Sequence, residues 1–139
     1  MKLKKILSSI LITAFLLAFV SSAIAEIAAF TGYYESTQIY KYYAFGPYSK
    51  PEGDSTVSVN NNSLIYATGT KSYHYARPQS SSGAVYGSRA AVYRGNTRTF
   101  SLNSTGTIAG SFRLKVYNAY YLDNENSSVK MGVHGLVLY

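Results

Sequence analysis

The 139-residue chain carries 13 Lys+Arg against 6 Asp+Glu, a formal charge of +7, with no Cys, no Trp and 15 Tyr. A chain of this length holds one domain, and without Cys it has no disulfide framework, thiolate metal site or cysteine nucleophile. Two His and six carboxylates leave little material for acid–base or metal chemistry, while 47% hydrophobic residues make the chain too apolar for simple disorder.

Residues 1–25 read as a secretory signal peptide. Lys2, Lys4 and Lys5 form the positive n-region. Ile6 to Val20 forms the apolar h-region, interrupted only by Ser8, Ser9 and Thr13. Ala23-Ile24-Ala25 is a small-x-small cleavage site, which starts the mature chain at Glu26. An uncleaved anchor is the competing reading, but the apolar run falls short of the ~20 residues that span a bilayer. No stable transmembrane helix is expected after cleavage. Removing residues 1–25 and their three lysines leaves 114 residues with ten basic against six acidic side chains, a charge of +4. All 15 Tyr stay in this exported domain, residues 26–139. Export without Cys suits a bacterial, Gram-positive-type route.

The exported part is written in period two. Tyr, Thr, Val, Ser and Gly dominate it, and these are strand and turn residues. Ile27 to Phe30 has the composition to start a short helix. Pro47 to Gly53 reads as a loop. Thr56–Asn60 and Leu64–Thr68 flank Asn61-Asn62, which reads as a hairpin turn. Lys71–Ala76 places Tyr73 and Tyr75 on one face and His74 on the other. Pro78–Gly83 is a second loop. Ala84–Tyr86 and Arg89–Tyr93 are separated by Gly87-Ser88, and Gly95-Asn96 is a two-residue turn before Thr97–Leu102. Ser111–Leu122 is the clearest strand, with Phe112, Leu114, Val116, Asn118 and Tyr120 on one face. A polar turn, Asp123–Ser128, leads to a last strand, Val129–Tyr139, and these two strands are expected to pair as one long hairpin. The fold class that follows is all-β: a small antiparallel β-sandwich or partly open barrel, preceded by the cleaved signal helix.

The tyrosines are the first candidate for function. Fifteen rings exceed what the core of a domain this small accommodates, so an exposed stacking surface is expected beside the ordinary use of Tyr in cross-strand pairs. Basic residues interleave with them. Tyr86, Arg89, Tyr93, Arg94, Arg113, Lys115 and Tyr117 are the candidate binding residues, because Arg113, Lys115 and Tyr117 share a strand face. A basic aromatic face suits an anionic cell-wall polymer, a polysaccharide, a lipid headgroup or a protein. Export makes nucleic acid a poor partner.

Catalysis and cofactors find no support. His74 and His134 have no Asp, Glu or Cys at ligand spacing, and no Gly-x-Ser-x-Gly elbow is present. The acidic pairs Glu52/Asp54 and Asp123/Glu125 stand in turns, where carboxylates are solvated and lack the raised pKa of a general acid. Asp123–Asn126 offers oxygens to Ca²⁺ but lacks the Gly and distal Glu of a helix–loop–helix site. Asn61, Asn103 and Asn126 stand in glycosylation sequons, which matter only in a eukaryotic pathway. The expectation is therefore a secreted, non-enzymatic binding protein with no cofactor. An antimicrobial or toxin-like protein is the alternative, and a small outer-membrane barrel, suggested by the alternating C-terminal strand, is a lesser one.

Overall fold

In the computed structural model, which describes residues 27–34, 40–123 and 129–139 (backbone only for Ile27, 32–34 and 40–47), the chain forms eight strands. They are β1 (Ile27–Tyr34), β2 (Tyr40–Ser49), β3 (Thr56–Tyr66), β4 (Tyr73–Gln79), β5 (Ala90–Tyr93), β6 (Thr97–Ser101), β7 (Ser111–Tyr117) and β8 (Met131–Leu138). Two short helices interrupt them, α1 (Ser104–Ile108) and α2 (Ala119–Leu122). The signal segment with Ala23 and Ala25 lies outside the described residues, as do Asn124–Ser128.

The strands form two antiparallel four-stranded sheets, ordered β1-β8-β3-β6 and β2-β7-β4-β5. Neither closes on itself, so β1, β6, β2 and β5 remain edge strands. A lipid-spanning barrel has no such edges. Alternation explains how the sheets meet. Val57, Val59, Leu64, Met131, Val133 and Val137 of the first sheet and Ala76, Val92, Phe112, Leu114 and Val116 of the second enter one hydrophobic core. Their neighbours in each strand point to the outer faces.

Pairing departs from the hairpin expectation. β7 and β8 do not pair: β7 lies between β2 and β4, and β8 between β1 and β3. The long strand expected at Ser111–Leu122 also stops early. The Asn118 side chain accepts from Tyr120 N at 3.0 Å and donates to Val129 O at 2.8 Å. That N-cap turns the chain into α2 before Tyr121.

Asn61-Asn62 is not a turn. β3 runs through it with a shift of register between Asn61 and Ser63. Asn61 is fully buried, and its Nδ2 donates to Val92 O at 3.1 Å. Its backbone N–H and C=O bond Asn96 O and Gly95 N. The bulge therefore clips the two sheets together where β5 crosses to β6. Gly95-Asn96 does form the expected turn, with Gly95 at φ +77°, but it links strands of different sheets. Ile27–Phe30 is strand, not helix, because its backbone pairs with Gly135–Leu138 of β8. Pro47 and Pro78 likewise lie inside strands, β2 and β4.

The β2–β3 connection is held by a buried lysine. Lys50, only 5% exposed, donates from Nζ to Pro51 O (3.2 Å), Asp54 O (3.2 Å) and Thr107 O (3.1 Å). Burial lowers its pKa, against the raising influence of Asp54 and Glu52. Lys50→Met keeps the stem but removes the charged donor from three carbonyls, of which Thr107 O and Pro51 O keep backbone N–H donors from Gly53 and Asp54. We expect a loss of about 2 kcal/mol in urea-induced unfolding. An unchanged midpoint would show that these carbonyls find water instead.

Candidate functional site

The candidate site is the outer face of the β2-β7-β4-β5 sheet. Register brings its residues into rows. Tyr75 stands opposite Tyr117, Arg77 opposite Lys115, and Gln79 opposite Arg113. On the other side of β4, Tyr73 stands opposite Tyr93 and Ala76 opposite Ala90. Arg89 is one residue beyond Ala90, so the basic row continues as Arg89, Arg77 and Lys115. The aromatic rows lie beside it, Tyr75 with Tyr117 and Tyr73 with Tyr93. Tyr40 and Tyr42 of β2 occupy the register positions opposite Tyr117 and Lys115.

Tyr117 is the hub of the basic row. Lys115 Nζ lies 5.3 Å, Arg89 Cζ 5.6 Å and Arg77 Cζ 5.8 Å from its ring centroid. Arg89 also lies 5.5 Å from the Tyr75 ring. The negative ring face attracts each cation. Tyr117 is buried, and so is Lys115, although both belong to the outer face. Arg113 is held by Gln79, whose amide oxygen, turned toward the guanidinium, accepts from it at 3.1 and 3.2 Å. Arg89 and Tyr93 are the exposed members.

A carboxylate anchors the far end of this face. Asp123, which caps α2, accepts from Lys71 Nζ at 2.5 Å and Tyr73 OH at 2.7 Å on one oxygen, and from Tyr75 OH at 3.0 Å on the other. Burial alone would raise the Asp123 carboxyl; the bonds from Lys71, Tyr73 and Tyr75 outweigh it and hold it below its usual value. Desolvation, then the Asp123 bond, pushes the Tyr75 hydroxyl up to about 12. Tyr73 and Tyr75 meet edge to face at 5.6 Å, and Tyr73 and Tyr93 lie 5.1 Å apart. Asp123 thus ties the hydroxyl ends of Tyr73 and Tyr75 to one carboxylate.

Two of the sequence candidates fall elsewhere. Tyr86 is buried under α1, where its Cβ lies close enough to Gly106 to leave no room for a side chain there. Arg94 is exposed in the turn after β5, at the mouth of a shallow cleft with Tyr66, Thr70 and Lys71. Among the residues that the sequence left out of the site are Tyr73, Tyr75, Arg77 and Asp123. The alternation of Lys71–Ala76 pointed to Tyr75, but only strand pairing places Arg77 beside Lys115.

Most of the ten tyrosines with described side chains are structural. Tyr48, Tyr66, Tyr86, Tyr117 and Tyr120 are buried; Tyr73, Tyr75, Tyr121 and Tyr139 are half-buried; Tyr93 is exposed. Tyr66 OH donates to Tyr73 O at 2.8 Å and accepts from Ala119 N at 3.2 Å, and Tyr120 OH accepts from the backbone N–H groups of Thr70 and Lys71. These rings tie the β3–β4 loop to α2.

The two histidines stay apart. His74 is fully buried on the inner side of β4, with its ring edge-on to Phe30. His134 is exposed and bonds Thr31 Oγ1 at 2.6 Å. Among the described residues no three His, Asp or Glu side chains converge, and no helix is long and apolar enough to cross a membrane. No family model matches the chain, and neither the curated proteins nor the solved structures contain a match to it.

Proposed function

We propose that the chain is an exported, non-enzymatic β-sandwich protein that adheres to a cell-envelope component through the outer face of the β2-β7-β4-β5 sheet. The observation that carries this reading is the contiguity of Tyr73, Tyr75, Tyr93 and Arg89 at the β4–β5 side of that face. Half-exposed rings offer planar apolar area with polar tips, which suits sugar rings and other amphipathic polymers. The adjoining cations add attraction for anionic ones. Asp123 and the buried Tyr117 preorganise the surface, so little side-chain entropy is lost on binding.

The test is retention of the purified protein on isolated cell-wall sacculi. Arg89→Ala combined with Tyr93→Ala removes the two exposed members, with the contacts of Arg89 on the Tyr75 and Tyr117 rings and of Tyr93 on Tyr73. We expect the double variant to bind about tenfold more weakly, the equivalent of roughly 1.4 kcal/mol, while it keeps a cooperative melting transition. Tyr117 is unsuitable for this purpose, since its truncation empties a buried position. Equal retention of the double variant would remove this face from consideration.

A further inference from the structure

β5 is a four-residue strand at the edge of its sheet, paired to β4 on one side. Sheet edges are exposed to unwanted pairing, and a chain without Cys has no disulfide to hold this one. At the end of β5, Tyr93 stands directly opposite Tyr73 of β4. Just beyond them the Arg94 backbone N–H donates to Ser72 O at 2.7 Å, which fixes both tyrosines in register. Their ring centroids lie 5.1 Å apart with an interplanar angle of 46°. A tilted pair at this distance is ordinary aromatic packing. Two further facts set it apart. Tyr93 is 49% exposed, so a dissolved reagent reaches its ring. The Tyr73 hydroxyl donates to Asp123 Oδ2 at 2.7 Å, so a proton acceptor already stands on that phenol. Other described pairs lack this combination. Tyr66 and Tyr120 are closer, at 4.8 Å, but both are buried and their hydroxyls bond backbone. Tyr48 and Tyr139 lie 5.8 Å apart, with Tyr48 buried.

We propose that Tyr73 and Tyr93 form an oxidative cross-linking site, at which hydrogen peroxide acting through a peroxidase joins the two rings carbon to carbon and fastens β5 to β4. This inference does not rest on the envelope-binding reading. The step removes two electrons. The oxidant takes one from exposed Tyr93, whose phenol proton goes to water, leaving a phenoxyl radical. Tyr73 passes an electron across the 5.1 Å gap to that radical, which regains a proton from water. The Tyr73 phenol proton moves along its hydrogen bond to the Asp123 carboxylate, which later releases it to solvent. The oxidant then takes the second electron from Tyr93, and its phenol proton again goes to water. Each phenoxyl carries unpaired density on the ring carbons next to the C–O bond. Two such carbons, one from each ring, form the new bond. Their hydrogens leave as protons while both oxygens are reprotonated, so both phenols return. In sum two C–H bonds break, one C–C bond forms, and one peroxide becomes two waters. A directly bonded pair of rings has its centroids only slightly closer than these, so the strands need not move apart or slip.

The test treats dilute purified protein with a peroxidase and hydrogen peroxide, then maps the product by tryptic digestion and mass spectrometry. Trypsin cuts after Lys71, Arg89 and Arg94 but not between Arg77 and Pro78, so Tyr93 is the one tyrosine of the peptide 90–94. We expect that peptide to be joined to 72–89 with the loss of two hydrogen atoms, in protein that remains monomeric and shows dityrosine fluorescence. Tyr73→Phe and Tyr93→Phe should each abolish this linked pair. Tyr93→Phe alters an exposed hydroxyl and remains informative even if Tyr73→Phe, which loses its bond to Asp123, folds poorly. The linked monomer should melt several degrees higher than the untreated protein, because the bond closes a loop in the unfolded chain. Peptide 90–94 recovered unlinked, or linked only between two copies of the chain, overturns the site. A link that persists in Tyr73→Phe places the bond on another ring and also overturns it. A linked monomer that melts no higher overturns the fastening of β5.

Discussion

Gly135→Ala is expected to abolish cooperative folding, or to lower stability by about 3 kcal/mol or more. Gly135 sits mid-strand in β8, between Phe30 of β1 and Asn61 of β3. A Cβ there would meet Asn60 O at less than contact distance and stand 2.6 Å from Phe30 Cζ. Neither neighbour can yield. Asn60 O is backbone in the central strand pair, and Phe30 is almost wholly buried. A methyl group therefore forces β8 away from β3, and the loss is a large part of the ~5–15 kcal/mol that holds a small domain together. Gly110→Ala is the control, because its nearest neighbours stand at 3.7 Å. Thermal unfolding by circular dichroism should separate the two. Similar curves for both variants would show that β8 has slack that the packing does not suggest.

The second large effect is acid lability, and it comes from His74. Burial lowers its pKa from 6.5 to about 3. Its Nε2 has no hydrogen-bond partner, and Nδ1 has only a long contact of 3.4 Å with Tyr75 O. The folded state thus binds a proton less readily than the unfolded state. Stability is highest above the unfolded value of 6.5 and falls as the pH drops from there toward the folded value. At about 1.4 kcal/mol per unit, the loss between neutrality and about pH 4 is on the order of 3 kcal/mol. Asp123 acts in a separate window. Its folded pKa is depressed, so its contribution is complete above its unfolded value of 3.8 and disappears as the pH falls further. His74→Leu should flatten the dependence between about pH 4 and pH 6.5 and leave the Asp123 limb intact. Urea titrations at several pH values measure both. The same slope in the variant would assign the acid transition to another group.

The alternation in β4, β7 and β8 was legible in the sequence because it is local: every second residue faces the core wherever the strand goes. Arg113, Lys115 and Tyr117 were assigned to one face on that basis, and they do share it. The same rule misread Asn61-Asn62, since a buried Asn in a strand makes sense only once Val92 O, Gly95 and Asn96 are brought to it. It overran the end of β7 for a similar reason. Asn118 ends the strand by capping α2 while it donates to Val129, eleven residues on.

Composition and period determined by themselves that this chain is built of strands, that its apolar positions point one way, and that it lacks cysteine. Those properties depend on residues close together in sequence. Which strands become neighbours depends on closing long loops around a shared core, and the alternation pattern carries no information about that. The tertiary structure alone decided that β7 lies between β2 and β4, and so that Arg77 stands against Lys115. It also decided the fate of the tyrosines. Their number suggested an exposed surface, yet most of the described rings are buried or half-buried, because their hydroxyl groups find backbone and carboxylate partners that only the folded chain supplies.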